Sequence, residues 1–540
     1  MKQTIAMLAL LFFVMTQVPR IEACTSILVS KKASKDGAPL ISYSCDGEFH
    51  PRLTMIPAAD HEPGTMYEIL GWGPPKGKIP QVPHTYKVLG LMNEHQLALG
   101  ETTFGGREEL MNPDGLFDYY PLMLITLQRA RTAREALKVM ADLVEQHGYC
   151  GEGESISIAD TEEAWLLEIA GTGKGGKGAV WVALRVPEGM VGATANMARI
   201  HGFPLNDPEN CLYSRNVIDF AVEKGYYNPK SGKPFSFSEA YNPPTEEQIR
   251  YSDRRVWSIF RRLAPSQNLS PEYANGQFKG KPYPLFIKPD AAVDVRTVIA
   301  MHRDHYEGTE FDMTKDLVSG PFGAPDRWRP MKWEVDGKKY VWERPIATQQ
   351  AGFVYVSEAR PHLPKEIGGI VWYGIDNPFT NFFIPLYTGI SDLPPSYTRG
   401  QLNRFSRDSA WWVVNFVANY ANLRYSHMIK EIQSRQKEIE DMAFGSREVM
   451  EKATLDLLKT SPDFATAFLT RYCIDSAEMN VERWRQLGDS LITRYNDGYI
   501  QNEKGRPQEA GYPQTWLGET VKKEGKRRSV KSEKEKDKEL

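Results

Sequence analysis

Cys24 stands one residue past Ala23, at the end of a short apolar leader. If the chain is cut between Ala23 and Cys24, one residue carries both a thiol and a free α-amine. The thiolate is the nucleophilic form, and a free cysteine has a pKa of about 8.5. An α-amine has a pKa near about 7.7–8.0, so a neutral fraction is present at neutral pH to take the thiol proton. One residue then supplies nucleophile and base. The remaining needs are an oxyanion donor, a carboxylate to orient the amine and a cation to favour the thiolate. An amide side chain such as Asn can donate to the oxyanion, and losing one such donor costs about 10²–10³ in rate. The competing use of a cysteine behind a leader is lipid attachment. That use wants a small residue at the second position before the cut, where this chain has Glu22.

The leader itself has the pattern of an export signal. Lys2 is the only charge before the apolar run from Ile5 to Val18, and Ile21 and Ala23 occupy the −3 and −1 positions. The run is shorter than the about 20 apolar residues that span a bilayer, and Pro19 and Arg20 end it. The expectation is a mature chain that starts at Cys24 and is periplasmic or secreted, with no stable membrane insertion.

Other motifs carry less. Gly171–Gly178 (GTGKGGKG) spells a phosphate-binding loop, but the strand-like AVWVALRV follows it where such loops need a helix N-terminus. It reads as a hairpin loop. His302 and His305 stand three apart with Asp304 and Glu307 nearby, which leaves a metallohydrolase as a minority reading, although no H-E-x-x-H is present. Cys45, Cys150, Cys211 and Cys473 show no C-x-x-C spacing. They could form two bridges or be buried and reduced.

The elements that must position Cys24 are strand-like. Residues 25–30 (TSILVS), the turn Ser34-Lys35-Asp36-Gly37 and the run from Ala38 to Tyr43 predict a hairpin that places Cys24 opposite residues close to Asp46. A second hairpin is expected over Val88–Leu99. One helix is predicted over Pro121–Gln146 and capped near Gly148, then strands at 155–159, 164–170, 179–186 and 190–195. A helix is expected at Tyr251–Leu263 and strands at 353–357 and 369–374. Helices follow at Trp411–Gln433, Gln436–Thr460 and Ala465–Tyr495. Residues 521–540 hold nine Lys/Arg against five Asp/Glu with almost no apolar side chains, and read as a solvated, disordered tail.

Composition bounds the class. The chain has 540 residues, 41% hydrophobic and 25% charged, with a formal net charge of −3. That is ordinary globular composition, without the basic excess of a nucleic-acid binder. Five cysteines exclude a disulfide scaffold.

Several ordered segments carry a family resemblance. They are Cys24-Thr25-Ser26-Ile27-Leu28-Val29 with Lys32-Ala33-Ser34 and Asp36-Gly37, and Met92-Asn93-Glu94-His95-Gln96 with Gly100-Glu101-Thr102-Thr103. Further along are Gly192-Ala193-Thr194-Ala195-Asn196 before Arg199-Ile200, and the run from Arg303 to Thr309. The C-terminal Trp484, Leu487 and Asp497-Gly498-Tyr499 continue the set. Together they resemble the dipeptidase family of N-terminal-nucleophile cysteine hydrolases (PepD-type bacterial dipeptidases, with secernins, penicillin V acylase and bile salt hydrolase as relatives). The resemblance implies an α+β fold, a four-layer αββα sandwich with a helical C-terminal region, that hydrolyses dipeptide amide bonds through an acyl-enzyme without metal or cofactor. It implies Cys24 as nucleophile, Asp46 holding its amine, Asn196 donating to the oxyanion and Arg254 near the thiol, with Arg255 competing for that last place. The acylases carry an Arg where this chain has Tyr43, and their second oxyanion side chain falls near Thr102 or Thr103. The expected layout is signal 1–23, hydrolase domain 24–395, helical region 396–518 and charged tail 519–540. A non-peptide amidase and a lipid-anchored binding protein without turnover are the alternatives.

Overall fold

The computed structural model describes residues 23–530, apart from Glu48, residues 71–75, Gln277, Lys279, Arg327, Trp328 and Pro330. The expected export signal lies outside the described residues except for Ala23, and so do the last ten residues of the tail. The strands that build the two main sheets are β1 (Ala23–Val29), β2 (Leu40–Asp46), β3 (Ala98–Thr103), β4 (Gly153–Ala159) and β5 (Ala164–Ala170). They continue with β6 (Val180–Arg185), β7 (Val191–Thr194), β8 (Ala351–Glu358), β9 (Ile370–Ile375) and β10 (Phe383–Tyr387).

One sheet runs β7–β1–β2–β8–β9–β10, with Phe286–Ile287 beside β7. The other runs β6–β5–β4–β3 and continues into short strands at residues 92–93, 88–89 and 55–56. The pairings within both sheets are antiparallel. Strands β1 and β2 pack against β3 and β4 of the facing sheet. Gly100 permits that approach: a Cβ there would fall 2.8 Å from Cβ of Tyr43. Strands β2, β4, β5, β9 and β10 are buried along their whole length; β5, β9 and β10 are accordingly near-continuously apolar, while β2 and β4 carry buried Ser, Asp and Glu.

The first hairpin forms as its β-branched residues and turn chemistry direct. Its register sets Cys24 opposite Cys45 and Ala23 opposite Asp46. The single helix expected over 121–146 is instead two, α1 (Tyr119–Arg129) and α2 (Ala133–His147). Thr132 explains the break: its side chain accepts from Glu135 N as an N-cap, and Ala130 before it is extended. Gly148 ends α2 with φ +76°, a conformation that favours glycine.

Helix α3 (Arg254–Leu263) follows a π-helical stretch at Ile249–Asp253, and α4 (Val295–His302) packs on β8 and β2. The helical C-terminal region breaks elsewhere than the spacing predicts. Helix α5 (Ala410–Ala421) stops at Asn422, and two 34-residue helices follow, α6 (Tyr425–Leu458) and α7 (Pro462–Tyr495). Ser461 caps α7 with Pro462 at its first position, which places the turn between them. Both long helices lie on β10. Arg303–Glu440 at 2.5 Å, Arg360–Glu451 at 2.5 Å and a Trp372–Phe444 stack at 3.9 Å tie α6 to the sheet side. Residues 514–528 form a further helix, α8 (Gln514–Arg528), which runs from the end of the expected helical region into the first ten residues of the expected disordered tail at 519–540. The i,i+3 pairs Glu519–Lys522 and Glu524–Arg527 give it local support. The fold is α+β, with antiparallel sheets and a helical C-terminal region.

Candidate active site

Cys24 lies second in β1 and is fully buried. Its Sγ donates to Glu101 Oε1 at 3.3 Å and lies 3.9 Å from Tyr43 Oη. Tyr43 Oη also donates to Glu101 Oε1. Cys45 is the cross-strand neighbour of Cys24. Burial first, then Cys45 and the nearby Glu101 charge, raise the Cys24 pKa well above the ordinary thiol range. In the uncut chain the sulfur is therefore held as a thiol. Chemistry at this position needs a base placed beside it.

The backbone nitrogen of Cys24 is where that base would arise. In the uncut chain it is an amide and donates to Asn196 Oδ1 at 2.9 Å. Asn196 follows β7 with φ +61°, a left-handed conformation that costs energy outside glycine. Such strain concentrates at functional positions. Asn196 Nδ2 donates to Thr103 O at 2.6 Å, which spends one of its two N–H groups and leaves the second for another acceptor.

The carboxylate of Asp46, 1% exposed, has no hydrogen-bond partner on either oxygen among the described residues. Arg344 Nη2 lies 3.9 Å away. Burial pushes the carboxyl up to about 7, against the opposing pull of Arg344 and Arg255. Between about pH 4, where an unfolded Asp ionises, and about pH 7, the folded chain keeps a proton that the unfolded chain has released. The uncut chain therefore loses stability as pH rises through that window. Asp46→Asn is expected to remove that loss and to stabilise the uncut chain by roughly 2–4 kcal/mol at about pH 8, with little gain near pH 4. Thermal melts of both proteins across that range check it, and a gain independent of pH would contradict it.

The two adjacent arginines separate cleanly. Arg254, the position carried over from the resemblance, points away: its guanidinium bonds Glu343 at 3.0 Å and Ala274 O at 3.2 Å. Arg255 takes the place beside Cys24. Its Nη1 donates to Cys24 O at 2.8 Å and Thr25 Oγ1 at 2.9 Å, and its Nη2 to Ala195 O at 3.1 Å and Asn196 Oδ1 at 2.8 Å. Nε donates to Tyr251 O at 2.7 Å, so all five donors are used. Burial lowers its pKa to about 10, which still leaves it charged at neutral pH.

The geometry thus brings Cys24, Asp46, Asn196 and Arg255 together and leaves Arg254 outside. It adds Glu101, Tyr43 and Glu154, which the residue-by-residue reading of the sequence did not assign. Thr103 Oγ1 donates to Glu154 Oε1 at 2.8 Å. An acidic residue in the middle of the strand-like run Ala98–Thr103 (ALGETT) was the available signal for Glu101. A cavity of about 240 Å³ is lined by Cys45 and Tyr43, which neighbour Cys24, and by Tyr119, Phe353, Tyr355 and Tyr373 among others.

The minority metal reading finds its histidines in other work. His302 Nε2 bonds Ser42 Oγ at 2.8 Å, and burial lowers its pKa to about 3. His305 lies between Glu307 (3.2 Å) and Asp326 (3.7 Å). Burial opposes its protonation, but the two carboxylates prevail and raise it to about 10. It is a buried imidazolium in an ion-pair cluster. All five cysteines are buried free thiols, so the four outside the leader junction are not bridged.

Cys24, Asn196 and Arg255 are thus gathered at one strand end of an α+β chain. The model of peptidase family C69 matches residues 73–438, which include Asn196 and Arg255 and begin after Cys24 and Asp46. The chain belongs to peptidase family C69. Among its relatives, a probable dipeptidase of Salmonella dublin is 26% identical over 410 residues, covering 71% of this chain and 85% of that protein. A probable dipeptidase of Latilactobacillus sakei is 25% identical over 497 residues, covering 89% and 97%. A probable dipeptidase B of Streptococcus pyogenes serotype M1 is 22% identical, covering 87% and 93%.

Proposed function

We propose that this chain is an exported dipeptidase whose nucleophile is Cys24, made the first residue by removal of residues 1–23. The observation that carries this is the setting of the Cys24 nitrogen. It is held by Asn196 at 2.9 Å, while the residue before it stands opposite Asp46 in the β1–β2 register; the Asp46 carboxylate has Arg344 as its ion-pair partner at 3.9 Å. A cut there would turn that amide into an amine on the strand paired with Asp46, whose two carboxylate oxygens accept no hydrogen bond among the described residues. The relatives' names favour dipeptides over other acylated amines as substrates. The two facing sheets with their helices would then be the αββα sandwich of N-terminal-nucleophile hydrolases.

In this mechanism the neutral amine takes the Cys24 proton and the thiolate attacks the dipeptide carbonyl. The second Nδ2–H of Asn196 receives the oxyanion. The amine proton passes to the leaving amino acid, and water then hydrolyses the thioester by the same route. Asp46 orients the ammonium and Arg255 fixes Asn196 and the Cys24 carbonyl. Asn196→Ala is expected to lower kcat by about 10²–10³ with a smaller change in KM. Steady-state kinetics on one dipeptide measures it, and an unchanged kcat would remove Asn196 from the reaction.

The direct test is intact mass and N-terminal sequence of the mature protein, followed by turnover of a dipeptide panel and a panel of acylated amines. A chain that starts at an unmodified Cys24 and cleaves dipeptides is expected. Lipid on Cys24, or activity from a Met1 start, would remove the α-amine base and overturn the mechanism. Turnover of acylated amines alone would replace the dipeptidase by an amidase.

A further inference from the structure

Glu101 and Glu154 form a buried carboxyl pair that the mechanism above does not use. Glu101 is 0% exposed and Glu154 1%. Each has one satisfied oxygen: Tyr43 Oη and the Cys24 thiol donate to Glu101 Oε1, and Thr103 Oγ1 donates to Glu154 Oε1. The Oε2 atom of each has no hydrogen-bond partner among the described residues. Neither is in an ion pair with a lysine, arginine or histidine there. Two buried carboxyls without a cation are costly, and such a site is completed by a proton or by a cationic ligand. Burial raises both, Glu154 well above the ordinary carboxyl range. Two buried carboxyls this close resist ionising together, and a cationic ligand beside them would favour the ionised form of one.

The place of that charge relative to the sulfur identifies the cation. In a dipeptide under attack, the α-nitrogen of the first residue is one carbon away from the carbonyl carbon that bonds to Sγ. It therefore lies in the same shell around Sγ as Glu101 Oε1, which is 3.3 Å from the sulfur, and rotation about the carbonyl–Cα bond can bring it within reach of that oxygen. A carboxylate in that position would meet the α-ammonium of a free dipeptide. It would meet an uncharged amide, with no matching charge, in an N-acylated one. The aromatic cavity shares Tyr43 and Cys45 with this corner and has room for one large side chain on the same residue.

We propose that Glu101, backed by Glu154, binds the α-ammonium group of the substrate's first residue and so restricts the enzyme to free N-termini. This rests on Cys24 being the nucleophile. A site that rejects acylated amines buries a charge pair with the true substrate and leaves the carboxylate bare with the wrong one, which discriminates strongly.

The test compares one dipeptide with its N-acetyl form on the mature wild-type enzyme, on Glu101→Gln and on Glu154→Gln. Wild type is expected to favour the free dipeptide by about a hundredfold or more in kcat/KM. Each variant is expected to lose most of that preference, mainly through a raised KM for the free dipeptide, while its rate on the N-acetyl form holds or rises. The alkylation rate of Cys24 against pH is read alongside. A shifted profile with equal losses on both substrates would make Glu101 a base for the thiol and overturn the proposal. So would a wild-type enzyme that cleaves both forms alike, a result that needs no variant to fold. No turnover of any dipeptide by the wild type would instead count against the function proposed above.

Discussion

Cys24→Ala is expected to lower dipeptide kcat/KM by at least about 10³-fold and to leave the fold in place. The side chain is small and lies among Tyr43, Cys45 and Glu101, and its removal also lifts a thiol from beside a buried carboxylate. The melting temperature is thus expected to move by only a few degrees. A second protein separates the sulfur from the amine. A chain that begins with one extra residue before Cys24 keeps the thiol but has an amide where the base should be. It is expected to be as inactive as the alanine variant while its thiol can still be alkylated under denaturing conditions. Full activity in either protein would end the mechanism.

The second large effect belongs to Arg255, and its neighbour is the control. Arg255→Met would strip hydrogen bonds from five oxygens at once, among them Cys24 O and Asn196 Oδ1. It would also take a positive charge away from Asp46. Breaking a buried charged network of this kind costs about 3–5 kcal/mol, and the misplaced Asn196 should cost about 10² or more in kcat. Arg255→Lys should restore little, because an ammonium cannot reproduce the planar fork. Arg254→Met loses the ion pair to a part-exposed Glu343 and the bond to Ala274 O, neither of which touches Cys24, and is expected to keep kcat within about tenfold. Melting curves and kinetics on the three proteins decide the matter. Equal losses at 254 and 255 would show that the helix, and not the guanidinium, carries the effect.

Much of the frame around Cys24 can be read from the letters, because the signals are local. The β-branched run after Cys24 and the turn at 34–37 specify the hairpin. The hairpin length then brings Ala23 and Cys24 level with Asp46 and Cys45 within a residue. The arginine is less legible for a physical reason. Arg254 and Arg255 differ by one position on a helix that begins straight after a π-helical stretch, and that stretch turns the helix face relative to a regular repeat. Spacing alone does not say which of the two faces Cys24. The Glu101–Glu154 pair is less legible still. The two residues stand on strands joined through α1 and α2, and only the Thr103–Glu154 register brings them side by side. The breaks at Thr132 and Asn422 follow from caps and loop conformations that apolar periodicity does not record.

The packing of α6 and α7 on β10 bears on how the chain is made. Strands β1 and β2 are synthesised first, yet they wait for β8, about 300 residues later, before their sheet can grow past β2. The face of β10 then waits for the two helices that end at Tyr495. Until those helices have emerged, Trp372, Phe382 and their neighbours have no cover. A message shortened anywhere before about residue 460 would therefore yield a sticky, protease-sensitive chain rather than a smaller working enzyme. Since the strand that carries Cys24 comes first and the helices over β10 come last, completion of this sheet side depends on the final quarter of the chain's own translation.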